Sequence, residues 1–402
     1  MAGRRRSIAR IVVCAVAAIS LTGAVGIFAL GGSASAHAPN RSGPPWPLLD
    51  VSPAVYDSAA HFDLWLLLDG TTWSYAGGVW TNLTSTAGTP TNMEVDSRMV
   101  YDANDGLVVL YGGSVPRLPF PPLNDTWTYD GSRWVNETAS VVGAPPPGGL
   151  GMMAYDSEDR VVVLYGETPI GQYHADSSTW VFDSLRWTNE SVSGPRPITS
   201  ESQPDLTGFT DDPSDGYVVF YSIFGGCSGP ALCPILWTYA GGTWTNRSTT
   251  VSPLPELTLF DAFTYDTSTS EVVAVGGCQN TATYTCAETY GVFSYHAGSW
   301  TDITPGSGPA PREFASWVDD PSDDGVMVVG GCCWADFSGL SLMWQDIWIF
   351  AHGHWTERLP WAGGPPSPLE NDGFWIAVGT IGVPALLGLL PARGRPSTPS
   401  RP

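Results

Sequence analysis

The chain contains no lysine. Its 402 residues carry 17 basic side chains, all arginine, against 39 aspartates and glutamates, for a formal net charge of −22. So few cations offer nothing to neutralise a run of phosphates, which excludes nucleic-acid binding. The shortage is sharper in the body of the chain. Arg4, Arg5, Arg6, Arg10, Arg41, Arg393, Arg395 and Arg401 lie outside the stretch 50–372, which holds every acid, so the middle carries 9 − 39 = −30. A body of that charge attracts cations and repels anionic polymers. The polarity expected of a disordered chain is absent too, because 43% of the residues are hydrophobic. What is abundant is glycine (46), proline (35) and tryptophan (18), the composition of many short strands joined by tight turns. An all-β fold is expected.

The two ends read as targeting segments. Residues 1–36 have an arginine-rich start, an apolar run from Ile11 to Leu30 and a small-residue exit at Ala34-Ser35-Ala36, the pattern of a secretory signal peptide cleaved before His37. An uncleaved N-terminal anchor is the competing reading. Residues 374–390 are apolar and followed by Arg393 and Arg395, the pattern of a transmembrane helix with its basic tail, 391–402, in the cytoplasm. A processed sorting tail and a buried core segment are the alternatives for that stretch. The segment between, with linkers at 37–48 and 362–373, is therefore expected outside a cell membrane crossed once.

Export agrees with the Asn-x-Ser/Thr sequons at Asn82, Asn136, Asn189 and Asn246, each two residues after a tryptophan of a repeated hairpin. They are candidate glycosylation sites at equivalent positions. An asparagine suited to a strand end is the plainer explanation.

One motif recurs six times: Trp73 to Trp80, Trp127 to Trp134, Trp180 to Trp187, Trp237 to Trp244, Phe293 to Trp300 and Trp348 to Trp355. The two aromatics are seven apart every time, and successive units start 54, 53, 57, 56 and 55 residues apart. That period matches propeller blades. Alternation in Trp127-Thr128-Tyr129 followed by the turn formers Asp130-Gly131-Ser132 makes a β-hairpin of each unit's second half. Upstream lies a second pair of runs, such as Met153-Ala154-Tyr155-Asp156 and then Val161 to Tyr165. The equivalents of the first run are placed at Val55-Tyr56-Asp57, Val100-Tyr101-Asp102, Phe209-Thr210-Asp211, Thr264-Tyr265-Asp266 and Trp317-Val318-Asp319. Continuous apolar runs such as Leu107 to Tyr111 suit strands buried on both faces between stacked blades. Four strands per unit and six units predict a six-bladed β-propeller over 49–361, with Trp46-Pro47-Leu48-Leu49 as the candidate closing strand.

These residues resemble the kelch repeat. Gly112-Gly113, Gly225-Gly226, Gly276-Gly277 and Gly330-Gly331 end the second strands, Asn124-Asp125-Thr126-Trp127 opens a third, and Pro311-Arg312-Glu313-Phe314-Ala315-Ser316 precedes a first. The same propeller type forms the central domain of galactose oxidase. The first and third units depart from the pattern, with Asp69-Gly70 and Gly166-Glu167 in place of the double glycine. The resemblance implies a propeller and, by the habit of such folds, a binding platform more often than an enzyme.

Six cysteines follow the signal: Cys227, Cys233, Cys278, Cys286, Cys332 and Cys333. An even number in an exported domain is expected to form disulfides, with Cys227 to Cys233 and Cys278 to Cys286 as local staples, while the adjacent Cys332 and Cys333 pair elsewhere or stay free. No histidine accompanies them at ligand spacing. The copper oxidase chemistry that galactose oxidase suggests needs a histidine pair beside tyrosines, and only His174 falls in a long loop; His61, His296, His352 and His354 fall in turns. The acid runs Asp211 to Asp215 and Asp319 to Asp324 hold enough carboxylate oxygens to make Ca²⁺ a candidate cation, His352 and His354 offer a small metal chelate that is more simply a solvated turn, and no other cofactor is expected. The aspartate ending each first strand is expected to satisfy turn amides.

Ligand-binding residues are expected where the second-to-third-strand and blade-to-blade connections share one end of the ring. The candidates are Arg312, Glu313, Asp96 and Asp205 at the channel mouth, with His174, Trp334 and Trp344 in the loops. Phe120, Tyr173 and Phe337 are further ring surfaces there. The expected role is extracellular binding or adhesion toward a glycan or a protein. The alternative is an extracellular carbohydrate-active enzyme, a lyase, hydrolase or copper oxidase, working at the channel mouth. A self-assembling surface-layer component is the third.

Overall fold

A computed structural model describes residues 52–67, 69–91, 95–114, 122–147, 151–166, 178–191, 194–197, 207–222, 234–251, 259–278, 291–310, 312, 315–331 and 346–359. Its 24 strands form six four-stranded antiparallel sheets, each built from four consecutive strands in sequence order. These are the blades: 54–82, 95–136, 152–189, 207–246, 259–302 and 316–359. A single helical turn, Thr84–Ala87, is the exception to strand. The signal segment, the candidate closing strand at 46–49 and the apolar segment 374–390 lie outside the described residues. Among those described, no helix is long and apolar enough to cross a membrane.

Six apolar cores, one between each pair of neighbouring blades, hold the ring. The last of them closes it. Trp65, Tyr75 and Trp80 of the first blade pack on Val318, Met327, Ile347 and Ile349 of the sixth. Second strands such as Val108 to Tyr111 and Val326 to Val329 are fully buried, as strands sandwiched between sheets must be. Two of the double glycines have a conformational cause. Gly112, Gly113, Gly330 and Gly331 all adopt positive φ (73°, 89°, 66° and 99°), where a side chain is strained.

The seven-residue aromatic spacing is a packing device. The closing tryptophan lies across the hairpin from the third strand's inward tyrosine or phenylalanine, as in Tyr75↔Trp80 and Tyr129↔Trp134. Their rings sit 5.0 and 5.2 Å apart. Each indole then reaches the preceding blade. Nε1 of Trp134, Trp187 and Trp244 donates to Oγ1 of Thr72, Thr126 and Thr179, at 3.1, 3.0 and 2.9 Å. In the fourth and sixth blades the threonine is replaced by Leu236 and Ile347, and Nε1 of Trp300 and Trp80 is buried without a partner. The hydroxyl of Thr72 also donates to the Gly88 carbonyl at 3.1 Å, so it serves a buried indole and a partly buried carbonyl. Thr72→Val keeps shape and strands both, an expected loss of about 1–3 kcal/mol, read as a lowered urea midpoint with unchanged slope.

One part of the sequence alignment needs correcting. In the fourth and sixth units the strand-end aspartates are Asp212 and Asp320, one residue later than Asp211 and Asp319. Aspartate doublets at both places offered two registers. The turn selects the second: Asp320 Oδ1 accepts the amides of Ser322 and Asp323, at 2.8 and 3.2 Å, and Asp212 Oδ1 accepts that of Asp215 at 3.3 Å. Asp57, Asp102, Asp156 and Asp266 cap their turns in the same way. All six are buried.

Candidate functional site

An antiparallel meander sends its odd and even connections to opposite ends, so the ring has a turn end and a connection end. At the turn end the first-to-second-strand and third-to-fourth-strand links are short and uniform. At the connection end the second-to-third-strand links vary from 67–71 in the first blade to 330–346 in the sixth.

The turn end is acidic, and its acids join blades. Asp159 Oδ2 accepts the Gly241 amide at 2.8 Å, and Asp215 Oδ2 accepts the Ala297 amide at 2.8 Å, each from the following blade. Glu190 Oε2 accepts the Tyr239 hydroxyl at 2.8 Å. Asp324 meets His352 Nε2 at 2.8 Å, and Asp323 meets Arg358 at 3.1 Å. His352 is thereby placed in its turn, while His354 begins the last strand. Asp211 accepts the Ser157 amide at 3.2 Å, and Asp319 the Thr267 amide at 3.3 Å. The two acid runs considered for Ca²⁺ are thus divided among separate partners. Among the described residues no three His, Cys, Asp or Glu side chains converge as a metal site.

Burial pushes several of these carboxyls up. Asp211 rises to about 7, with Asp156 adding to burial and the Ser157 N–H opposing it. Asp319 rises to about 8 through burial, against the Thr267 N–H. Asp212 rises to about 6 through burial and the Asp215 charge. Each group holds its proton more tightly folded than unfolded, so between the ordinary value near ~4 and the raised value the folded state carries more protons. Their contribution is most favourable below that window and is lost as pH rises through about 6, 7 and 8. Urea midpoints measured from pH 5 to pH 9 are expected to fall and then level off.

Of the expected ligand-binding residues, Arg312 alone has a described side chain, and it is not open to solvent. It is 2% exposed. Its Nη2 donates to Asp346 Oδ2 at 2.9 Å, Nη1 donates to Asp346 Oδ1 and to the Gly330 carbonyl, and Nε donates to the Ala310 carbonyl at 3.1 Å. Asp346 Oδ2 also accepts Trp348 Nε1 at 2.9 Å. Its guanidinium, expected at the channel mouth, is thus taken up by Asp346 and two backbone carbonyls. This arginine clamps the two ends of the sixth blade's longest connection. Asp96 lies in the strand Val95–Asp102, with its side chain outside the described residues. Glu313, Asp205, His174, Trp334 and Trp344 lie outside them as well, as do Cys227, Cys233, Cys286, Cys332 and Cys333. Cys278 ends the strand Glu271–Cys278, opposite Leu259.

The register of the sequons has a structural cause. Oδ1 of Asn82, Asn136, Asn189 and Asn246 accepts the amide two residues on, at 2.8 to 3.0 Å. The Ser or Thr at that position then turns its hydroxyl to the third strand: Thr84 to the Thr72 amide, Thr138 to Thr126, Ser191 to Thr179 and Ser248 to Leu236, at 3.0 to 3.1 Å. In the fifth blade Asp302 and Thr304 make the same pair of bonds, to Thr304 and Val292, both at 3.0 Å. Asparagine is thus one of two residues that serve. Asn189→Asp is expected to leave the thermal midpoint within about 0.5 kcal/mol of stability, as for a surface change, while removing any glycan-dependent gel shift in a glycosylating host.

Sequence reasoning missed Asp346 and Asp63. Asp63 occupies the position held by Val108, Val162, Val218, Val272 and Val326 in the other blades. That substitution is visible once the second strands are aligned.

No family model matches the chain. Among solved structures it is similar to one described as "Structure of YjhT", at 13% identity and a TM-score of 0.47, covering 78% of this chain and 99% of that one.

Proposed function

We propose that the chain is an exported, membrane-anchored kelch-type propeller that binds a glycan or a protein outside the cell through its connection end. The observation that carries this reading is the difference between the two ends. Acids and hydroxyls at the turn end bond to neighbouring blades, whereas the second-to-third-strand connections differ in length from blade to blade. A rigid frame with unequal connections at one end is how binding scaffolds are built. Phe120, Tyr173, Trp334, Phe337 and Trp344 belong to those connections, and rings of this kind stack on sugars or anchor protein partners. Asp96, Asp205, Glu313 and His174 are the polar groups of the same end, and Arg312 serves it indirectly by fixing Asp346. The cysteines fit staples within these connections in an oxidising exterior, and 1–36 and 374–390 fit the signal and the anchor.

Residues 37–373, screened on a glycan array and by pull-down from extracellular protein, are expected to capture a ligand saturably and without turnover. Polysaccharide cleavage, or peroxide formation with bound copper, would replace binding by catalysis. Self-assembly of the purified ectodomain into sheets would replace it by a structural layer.

A further inference from the structure

The seam between the first and sixth blades differs from the other five interfaces in one chemical respect. At each interface the strand-end aspartate of one blade turns one oxygen to its turn amides. The second oxygen of Asp156, Asp212, Asp266 and Asp320 is buried without a donor. The register position alongside, on the second strand, is valine in every blade but the first, where it is Asp63. Asp63 is 1% exposed, and no N–H or hydroxyl donor reaches either of its oxygens. It faces Asp320, within hydrogen-bonding reach.

Two buried carboxylates cannot both be charged and in contact, because neither has a donor to offer and each lacks water. We propose that Asp63 and Asp320 share one proton, so that the ring of blades is closed by a carboxyl-to-carboxylate hydrogen bond and its seam is a pH-operated latch. The proton belongs on Asp63. Asp320 already has two backbone amides stabilising its charged form, and Asp63 has none. Every charge facing Asp63 pushes the same way. From the sixth blade come Asp320, Asp323 and Asp319; of its cross-strand neighbours, Tyr75 is held neutral by burial and Tyr56 accepts from the Ser322 hydroxyl. Arg358, a cation nearby among the described residues, is paired with Asp323. Burial first, then these carboxylates, raise the Asp63 pKa well above the ordinary range.

The consequence has a definite sign. With the folded value raised, the latch is intact in acid and fails as pH rises through that value, leaving two repelling charges in the seam. The apolar packing of Trp65, Trp80, Met327 and Ile347 then holds the ring alone. Acidic surroundings tighten this propeller and alkaline ones loosen it at one defined interface.

The test compares the full chain with Asp63→Asn, the neutral isostere of the protonated acid, and Asp63→Val, the residue of the other blades. Unfolding midpoints are read from pH 5 to pH 9. Relative to either variant, the wild type is expected to lose up to about tenfold in its folding constant per pH unit across the latch's window, the signature of one linked proton. A difference between wild type and variants that does not change with pH would overturn the proposal. So would a wild-type midpoint that millimolar Ca²⁺ raises at pH 8 while leaving Asp63→Asn unmoved, because the seam would then hold a cation. Should both variants fail to fold, infrared spectroscopy of a chain carrying Asp211→Asn and Asp319→Asn, which removes the other carboxyls raised to neutral pH or above, decides: a protonated carboxyl band that persists at neutral pH and vanishes on alkalinisation supports the latch, and its absence overturns it.

Discussion

Asp346→Ala is expected to cost about 3–5 kcal/mol, enough to unfold a marginal chain, because it leaves the Arg312 guanidinium buried without its counter-ion. The arginine side chain is 0% exposed and its partner 8%. Neither charge can relax into water, so the penalty is that of a stranded ion and exceeds that of a lost surface bridge. Trp348 loses its acceptor in the same step. Arg312→Lys keeps the charge but not the planar fork that meets both carboxylate oxygens, and an intermediate loss is expected. Replacing the pair together, Arg312→Met with Asp346→Leu, is expected to recover most of the stability, since well-packed apolar residues often equal a buried ion pair. Denaturant midpoints with unchanged slopes check all three. A ligand-contacting arginine would behave otherwise, lowering affinity with no change in midpoint.

Trp244→Ala is expected to cost about as much, 3–5 kcal/mol, for a different reason. Its ring joins four others across the third and fourth blades: Tyr165 at 4.6 Å, Tyr239 at 5.1 Å, Phe220 at 6.1 Å and Phe209 at 6.3 Å. Removing it opens a cavity at an interface whose walls are strands and cannot collapse. Its Nε1 bond to Thr179 is a smaller part of the loss. Trp244→Phe, which keeps a ring and drops the donor, isolates that part. Because Thr179 loses its own partner when the donor goes, Thr179→Val is expected to add little on top of Trp244→Phe, and a double-mutant cycle reads the coupling.

The fold was legible because its signals are local. Seven residues separate Trp237 from Trp244 because a two-residue turn at Gly241-Gly242 folds one strand onto the next. Such a hairpin repeats identically wherever the blade repeats. The double glycines at 112–113 and 330–331 are equally local, since positive φ is a property of one residue and its neighbours. What escaped was set by contacts distant in the chain. Arg312 looked like a channel residue because it is the only arginine in its register of the repeat, and its partner lies 34 residues on, across the sixth blade's longest connection. Asp63 and Asp320 meet only because the ring closes. The doublets Asp211-Asp212 and Asp319-Asp320 could not be placed by pattern, since both aspartates suit a strand end and only the turn amides choose between them. The sequons were legible as a register but not as a cause, which lies in a hydroxyl crossing to the third strand.

The central claim is that the turn end is architecture and the connection end is recognition. The most direct test takes residues 37–373 against whichever glycans or proteins they capture. One variant shortens the connections 115–125 and 330–346 to the length of 67–71 while keeping Gly330 and Asp346 as the ends of the second, and another replaces the exposed turn acids Asp105, Asp130 and Asp183 by asparagine. The account expects the shortened chain to keep its tryptophan near-ultraviolet signal and lose capture, while the turn variant captures as well as the parent. Capture that survives shortened connections and disappears with the turn acids would contradict it.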